Sequence, residues 1–159
     1  MDGVASVPVA IALGSNLGDR RAHLAAGLDG LAARLTDIRI STVRETDAVD
    51  VPGPQPPYLN AIAVGRTGLR PGALLEVLLD LERARGRTRP FGRAPRTLDL
   101  DLILYGDEVV TTRALEVPHP RFRERRFVLE PLAELVPDWR DPVSGKTIAE
   151  LLAALDAQE

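Results

Sequence analysis

The sequence predicts an α+β fold of the ferredoxin-like kind: a β-α-β-β-α-β antiparallel sheet with two helices on one face, plus C-terminal strands and helices. Four stretches carry strand character: VPVAIAL (7–13), DIRISTVRETD (37–47), YLNAIAVGR (58–66) and LDLDLIL (98–104). Leucine-striped helical segments separate the first from the second and the third from the fourth. Between the second and third lies only a proline-rich loop, which gives the order of a split β-α-β unit.

Val7–Leu13 reads as a buried strand entered after Pro8. GSNLGDR then turns the chain, and Asp19 is placed to cap a helix over about 20–35. Leu24, Leu28, Leu31 and Leu35 make its stripe, while Gly27 and Gly30 each cost it roughly 1 kcal/mol relative to alanine. DVPGPQPP (50–57) is too rich in proline for helix or central strand and reads as a long ordered loop. Pro71 suits the first turn of a helix whose apolar face holds Leu74, Leu78 and Leu81 and which Gly86 stops. Short strands are expected near 108–110 and 114–117. A helical piece opened by Pro131 should cover 131–136, and a last helix 148–157, with Thr147 and Glu150 as a capping box.

A chain of 159 residues with 45% hydrophobic and 27% charged residues reads as one domain, 1–159, with a sizeable core. No run is long and apolar enough for a membrane span, and the N-terminal stretch lacks a basic n-region. With no cysteine, thiolate chemistry and disulfides are excluded, and a cytoplasmic location is expected. A net charge of −3 argues against general nucleic-acid binding. Lys146 is the only lysine among the 20 lysines and arginines. Arginines cluster at 83–96 and 121–126, and arginine grips phosphate oxygens with a planar fork.

The run PRTLDLDLILYG poses the chemical question. In a strand over 98–105, Leu98, Leu100, Leu102 and Leu104 share one face, and Asp99, Asp101 and Ile103 the other. Two carboxylates roughly 7 Å apart make either a wet sheet surface or a cation site. The arginine-rich loop running into them and the absence of neighbouring histidine or cysteine favour Mg²⁺ with a nucleotide. An RNA-binding sheet is the rival, but two acids on its open face would repel phosphates. His119, between two prolines in VPHPR, is either an exposed loop residue or a hydrogen-bond donor to a phosphate or ribose. Tyr58, Asn60 and Phe127 could pack or could stack on and read a flat heteroaromatic ligand. GSNLG lacks the spacing of a phosphate-binding loop and reads as a tight turn.

Taken together, ALGSNLGD, QPPYLNA, LERARGR, PRTLDLDLILYG, VPHPR and RRFVLEPLAEL, in this order from Val9 to Leu155, resemble the 6-hydroxymethyl-7,8-dihydropterin pyrophosphokinases of folate biosynthesis. The resemblance implies transfer of pyrophosphate from ATP to the pterin hydroxymethyl group, with AMP released after in-line attack on the β-phosphorus. It further implies two Mg²⁺ ions on Asp99 and Asp101, and charge neutralisation by Arg87 and Arg96. Glu82, His119 and Arg125 would hold the nucleotide. Tyr58 and Phe127 would sandwich the pterin, with Asn16, Thr46 and Asn60 at its edge. Loops 47–57 and 87–95 would close over the substrates, and a monomer with no nucleic-acid or membrane partner is expected. Arg93-Ala94 replaces the Trp-Gly common in that family, and Asp47-Ala48 stands where proline is frequent.

Overall fold

The computed structural model describes residues 6–47, 53–86 and 97–158. Strand β1 (Val7–Ser15) lies inside an antiparallel sheet of order β2-β4-β1-β5, formed with β2 (Thr36–Ile40), β4 (Tyr58–Thr67) and β5 (Asp99–Tyr105). The short β3 (Arg44–Thr46) extends the β4 edge. This is the expected ferredoxin-like arrangement. Its apolar run is explained by burial on both sides: Val9, Ala10 and Ile11 are fully covered.

Helix α1 (Arg20–Ala32) starts as expected, the Asp19 carboxylate accepting from the Ala22 N–H at 3.1 Å. It stops three residues early, and Leu35 enters the core from the turn that follows. Its glycines are packing positions. A Cβ at Gly27 would lie 3.2 Å from Leu98 Cδ1 and 3.3 Å from Leu13 Cδ2, and one at Gly30 would meet the Leu81 side chain. Helix α2 (Pro71–Ala84) begins on its proline and ends before Gly86, whose φ is +76°. With α1 it covers one face of the sheet, α2 setting Leu74 and Leu78 over Ile11, Leu13, Leu98 and Leu100.

Three expectations need correction. The strand expected over 37–47 is two strands, because side chains take over the backbone pairing between them. Ile62 N–H donates to Ser41 Oγ (2.9 Å) and Thr42 N–H to the Glu134 carboxylate (3.0 Å). Leu104 does not share the face of Leu98, Leu100 and Leu102. The β1–β5 register slips between Ala10 and Ile11, which face Leu104 and Leu102, so Ile103 is a bulge residue. Ile103 and Leu104 therefore both join the second core, and Tyr105 returns to the first. Finally, the helix holding Pro131 starts earlier, as α3 (Arg126–Leu135), with the proline inside it. The lost backbone bond costs about 3 kcal/mol, offset by burial of Val128, Leu129, Leu132 and the proline ring.

Strands β6 (Val110–Thr111) and β7 (Glu116–Val117) form a small separate ladder. Helix α4 (Ile148–Ala157) carries the expected capping box, Thr147 and Glu150 satisfying each other's backbone N–H groups. Helices α3 and α4 pack on the second face of the sheet over Ala10, Ile62, Val64 and Ile103. The C-terminal helices thus add a third layer, and among the described residues the second core stops short of one end of the sheet, where Gly14 pairs with Asp99.

Candidate active site

Register builds that end of the sheet. Arg44 pairs with Asn60, Asn60 with Gly14 and Gly14 with Asp99, so one row across β3, β4, β1 and β5 shares a face. The next row on that face holds Asp101, Ala12 and Ile62. Toward the edge, Thr46 pairs with Tyr58. Leu98 and Leu100 point into the α1–α2 core, which leaves Asp99 and Asp101 on the opposite side, both half-buried. Between them, the Leu100 N–H donates to the buried Glu82 carboxylate at 2.7 Å. Glu82 thereby fixes the backbone that carries both aspartates.

Gly14 forms the floor. A Cβ there would sit 3.3 Å from Tyr58 Cδ1 and 3.5 Å from Asn60 Oδ1. The Asn60 amide donates through Nδ2 to Thr46 Oγ1 (2.6 Å), which turns Oδ1 over the glycine. Tyr58, Asn60 and Thr46 are therefore brought together as the sequence suggested. Asn16 has another placement. It is fully buried, and its amide donates to Gln55 Oε1 and to the Pro56 carbonyl, both at 3.2 Å. Arg20 adds a second tie, donating to Glu45 (2.9 Å) and to the Pro57 carbonyl (2.9 Å). These two residues pin the segment that leads into Tyr58.

On the other side of the aspartates the VPHPR segment docks on the bulge: His119 N–H donates to the Ile103 carbonyl at 3.0 Å. The Arg121 N–H donates to His119 Nδ1 at 3.2 Å, so the neutral ring carries its proton on Nε2. Burial, reinforced by the Arg125 and Arg121 charges and opposed by Asp99, lowers the His119 pKa to about 4. Arg125 lies over the Phe127 ring, 5.6 Å from its centroid, at the start of α3. Arg123, between His119 and Arg125, donates from Nη2 to the fully buried Asp141 at 2.8 Å. That pair ties the segment to the 139–147 turn.

Among the described residues no group of three or more histidine, cysteine or acidic side chains could hold a metal. Two carboxylates suit a hard cation that keeps waters and phosphate oxygens as its other ligands, which is the habit of Mg²⁺. The expected Arg87 and Arg96 lie outside the described residues, as do Ala48 and Arg93-Ala94. The sequence did not single out Gly14, Arg20, Arg44 or the Arg123–Asp141 pair. Gly14 had a signal, since it opens the GSNLG turn at a strand end; the others depend on pairings between distant segments.

The profile of the 7,8-dihydro-6-hydroxymethylpterin-pyrophosphokinase (HPPK) family matches residues 10–137. A 2-amino-4-hydroxy-6-hydroxymethyldihydropteridine pyrophosphokinase from Pseudomonas aeruginosa is 43% identical over 148 residues, which cover 92% of this chain and 90% of that protein. One from Methylorubrum extorquens is 40% identical over 154 residues, 92% of each chain. The Synechocystis protein of the same name is 50% identical over 103 residues, covering 65% of this chain and 53% of that one. A crystal structure of Plasmodium falciparum HPPK-DHPS superposes with a TM-score of 0.74 at 12% identity, covering 99% of this chain and 44% of that one; it shares the fold.

Proposed function

The chain belongs to the HPPK family, and from that premise we propose how its residues transfer pyrophosphate from ATP to 6-hydroxymethyl-7,8-dihydropterin in folate biosynthesis. The observation that carries the reading is the row Asn60–Gly14–Asp99. An amide able to read a heterocycle and a carboxylate able to hold a cation lie two strand spacings, roughly 10 Å, apart. Only a glycine stands between them.

Asp99 and Asp101 would hold Mg²⁺, two ions in this reading, whose charge offsets that of the triphosphate. His119, neutral, offers Nε2–H to a nucleotide oxygen, and Arg125 adds a cation on the same side. Glu82, read as part of the nucleotide site, also holds β5 in place through Leu100. Arg87 and Arg96 are assigned to charge neutralisation from their motifs alone. Tyr58 and Phe127 supply ring faces for the pterin, Asn60 Oδ1 accepts from its edge, and Thr46 holds that amide in position. Asn16 supports the pterin side by anchoring residues 55–56. The pterin hydroxyl oxygen then bonds to the β-phosphorus while the bond from that phosphorus to the α,β-bridging oxygen breaks; AMP leaves with that oxygen, and the hydroxyl proton is released to solvent. Positioning and charge do the catalysis, with no protein nucleophile. We read residues 1–159 as one such domain, acting as a cytoplasmic monomer.

The test is AMP formation from ATP and Mg²⁺ with and without the pterin. Pterin-dependent AMP that vanishes on chelation is expected, and Asp99→Asn or Asp101→Asn should lower turnover by about 10²–10³-fold or more. ADP as the product, or full activity in both variants, would overturn the reading.

A further inference from the structure

Among the described residues, the buried side-chain polar atoms without a hydrogen-bond partner are Ser15 Oγ, Arg44 Nη1 and Thr97 Oγ1. A buried unpartnered polar atom is uncommon enough to require a cause. Ser15 pairs with Leu59 on the helix side of the sheet, away from the acids. Arg44 already engages Glu134 through Nη2. Thr97 is different in position. Thr97 lies at the bend that leads into β5, two residues before Asp99, and the intervening Leu98 is buried in the α1–α2 core. Thr97, Asp99 and Asp101 are three oxygen-bearing side chains at alternate positions of the chain where it enters the site.

We propose that Thr97 is a further phosphate-binding residue, its hydroxyl donating a hydrogen bond to a non-bridging oxygen of the ATP triphosphate beside Asp99. The proposal rests on the Mg²⁺–ATP reading of the acid pair. Ionised carboxylates only accept hydrogen bonds, so an anion lying beside Asp99 and Asp101 needs a donor from a neighbouring residue. A hydroxyl bonded to an anionic oxygen is a short, charge-assisted contact. Thr97 is half-buried while its Oγ1 is covered. A step of about 120° between staggered rotamers moves the hydroxyl from its covered position. The unpartnered state of the free protein is then the cost of keeping a donor ready for the nucleotide.

Thr97→Val keeps the shape and removes the hydroxyl; Thr97→Ser keeps the hydroxyl. Because the hydroxyl has no partner in the free protein, Thr97→Val should melt at the wild-type temperature or above it. Its kcat/KM for ATP should nevertheless fall about 10- to 100-fold, with pterin affinity measured without ATP unchanged. Thr97→Ser should return kcat/KM to within about threefold of wild type. Wild-type kcat/KM in Thr97→Val would overturn the proposal. So would a variant that loses melting temperature and pterin affinity together, which is the signature of a packing role. Asp99→Asn runs alongside: full activity there rejects the metal-site reading, whereas loss there with an intact Thr97→Val rejects only the role of Thr97.

Discussion

At the scale of single residues, His119 shows how the neighbourhood sets the chemistry. Its ordinary pKa of 6.5 is lowered to about 4, first by burial and then by Arg125, with Asp99 opposing. The ring is therefore neutral at pH 7, with its proton on Nε2. In the ligand-free protein the folded state resists a proton that the unfolded chain accepts. The stability tied to this residue is full above pH 6.5 and declines as pH falls toward 4, by up to about 3 kcal/mol. A histidine resonance titrating near pH 4, and a flatter acid-stability slope in His119→Gln between those limits, are the expected results. A titration near 6.5 would show the ring solvated. The aspartate pair was legible in the sequence because alternation alone puts both on one face. The Glu82–Leu100 bond and the anchoring of Gln55 and Pro56 by Asn16 were not, since they join segments 18 to 40 residues apart and leave no periodic trace.

At the scale of elements, strand and helix identity followed from period and caps: Asp19, Pro71, Gly86 and the Thr147–Glu150 box all act where the sequence placed them. What escaped was set by tertiary packing. The bulge at Ile103 reverses the facing of Leu104, and nothing in LDLDLILYG marks it. Its consequence is functional, because the carbonyl of Ile103 receives the His119 N–H. The two glycines of α1 look like helix weaknesses and prove to be points of close approach. Gly27→Ala gains up to about 1 kcal/mol of helix propensity but drives a methyl to 3.2–3.3 Å from Leu13 and Leu98, which are 1% and 0% exposed. Overpacking costs typically 1–3 kcal/mol, so a net loss of roughly 1 kcal/mol is expected by urea denaturation. Gly72 in α2 has nothing within 4 Å of its would-be Cβ, and Gly72→Ala should gain up to about 1 kcal/mol. Equal effects at the two sites would mean that packing against the sheet does not decide the sign.

At the scale of the whole molecule, the two halves of the site are braced by different layers. The Tyr58–Asn60 side hangs on α1 and its preceding turn through Arg20 and Asn16. The His119–Arg125 side hangs on the C-terminal layer through Arg123 and Asp141. Burial alone would raise the Asp141 pKa, but hydrogen bonds from Arg123, Ser144 and the Val143 N–H outweigh it and hold the group at about 2. A carboxyl depressed from 3.8 to about 2 contributes about 2 kcal/mol above pH 3.8, lost as pH falls through 2. Removing its cation should do more harm than the pair's own net worth, because the carboxylate stays buried with less compensation. Arg123→Met is expected to lose about 3–5 kcal/mol at pH 7 and to begin acid unfolding at a higher pH, since burial then prevails over fewer hydrogen bonds. The same variant should raise KM for ATP more than KM for the pterin, because the segment from His119 to Arg125 loses its tie, whereas of the residues assigned to the pterin only Phe127 belongs to that layer. Equal increases in both KM values would show that the layers yield together and that the bracing is not divided.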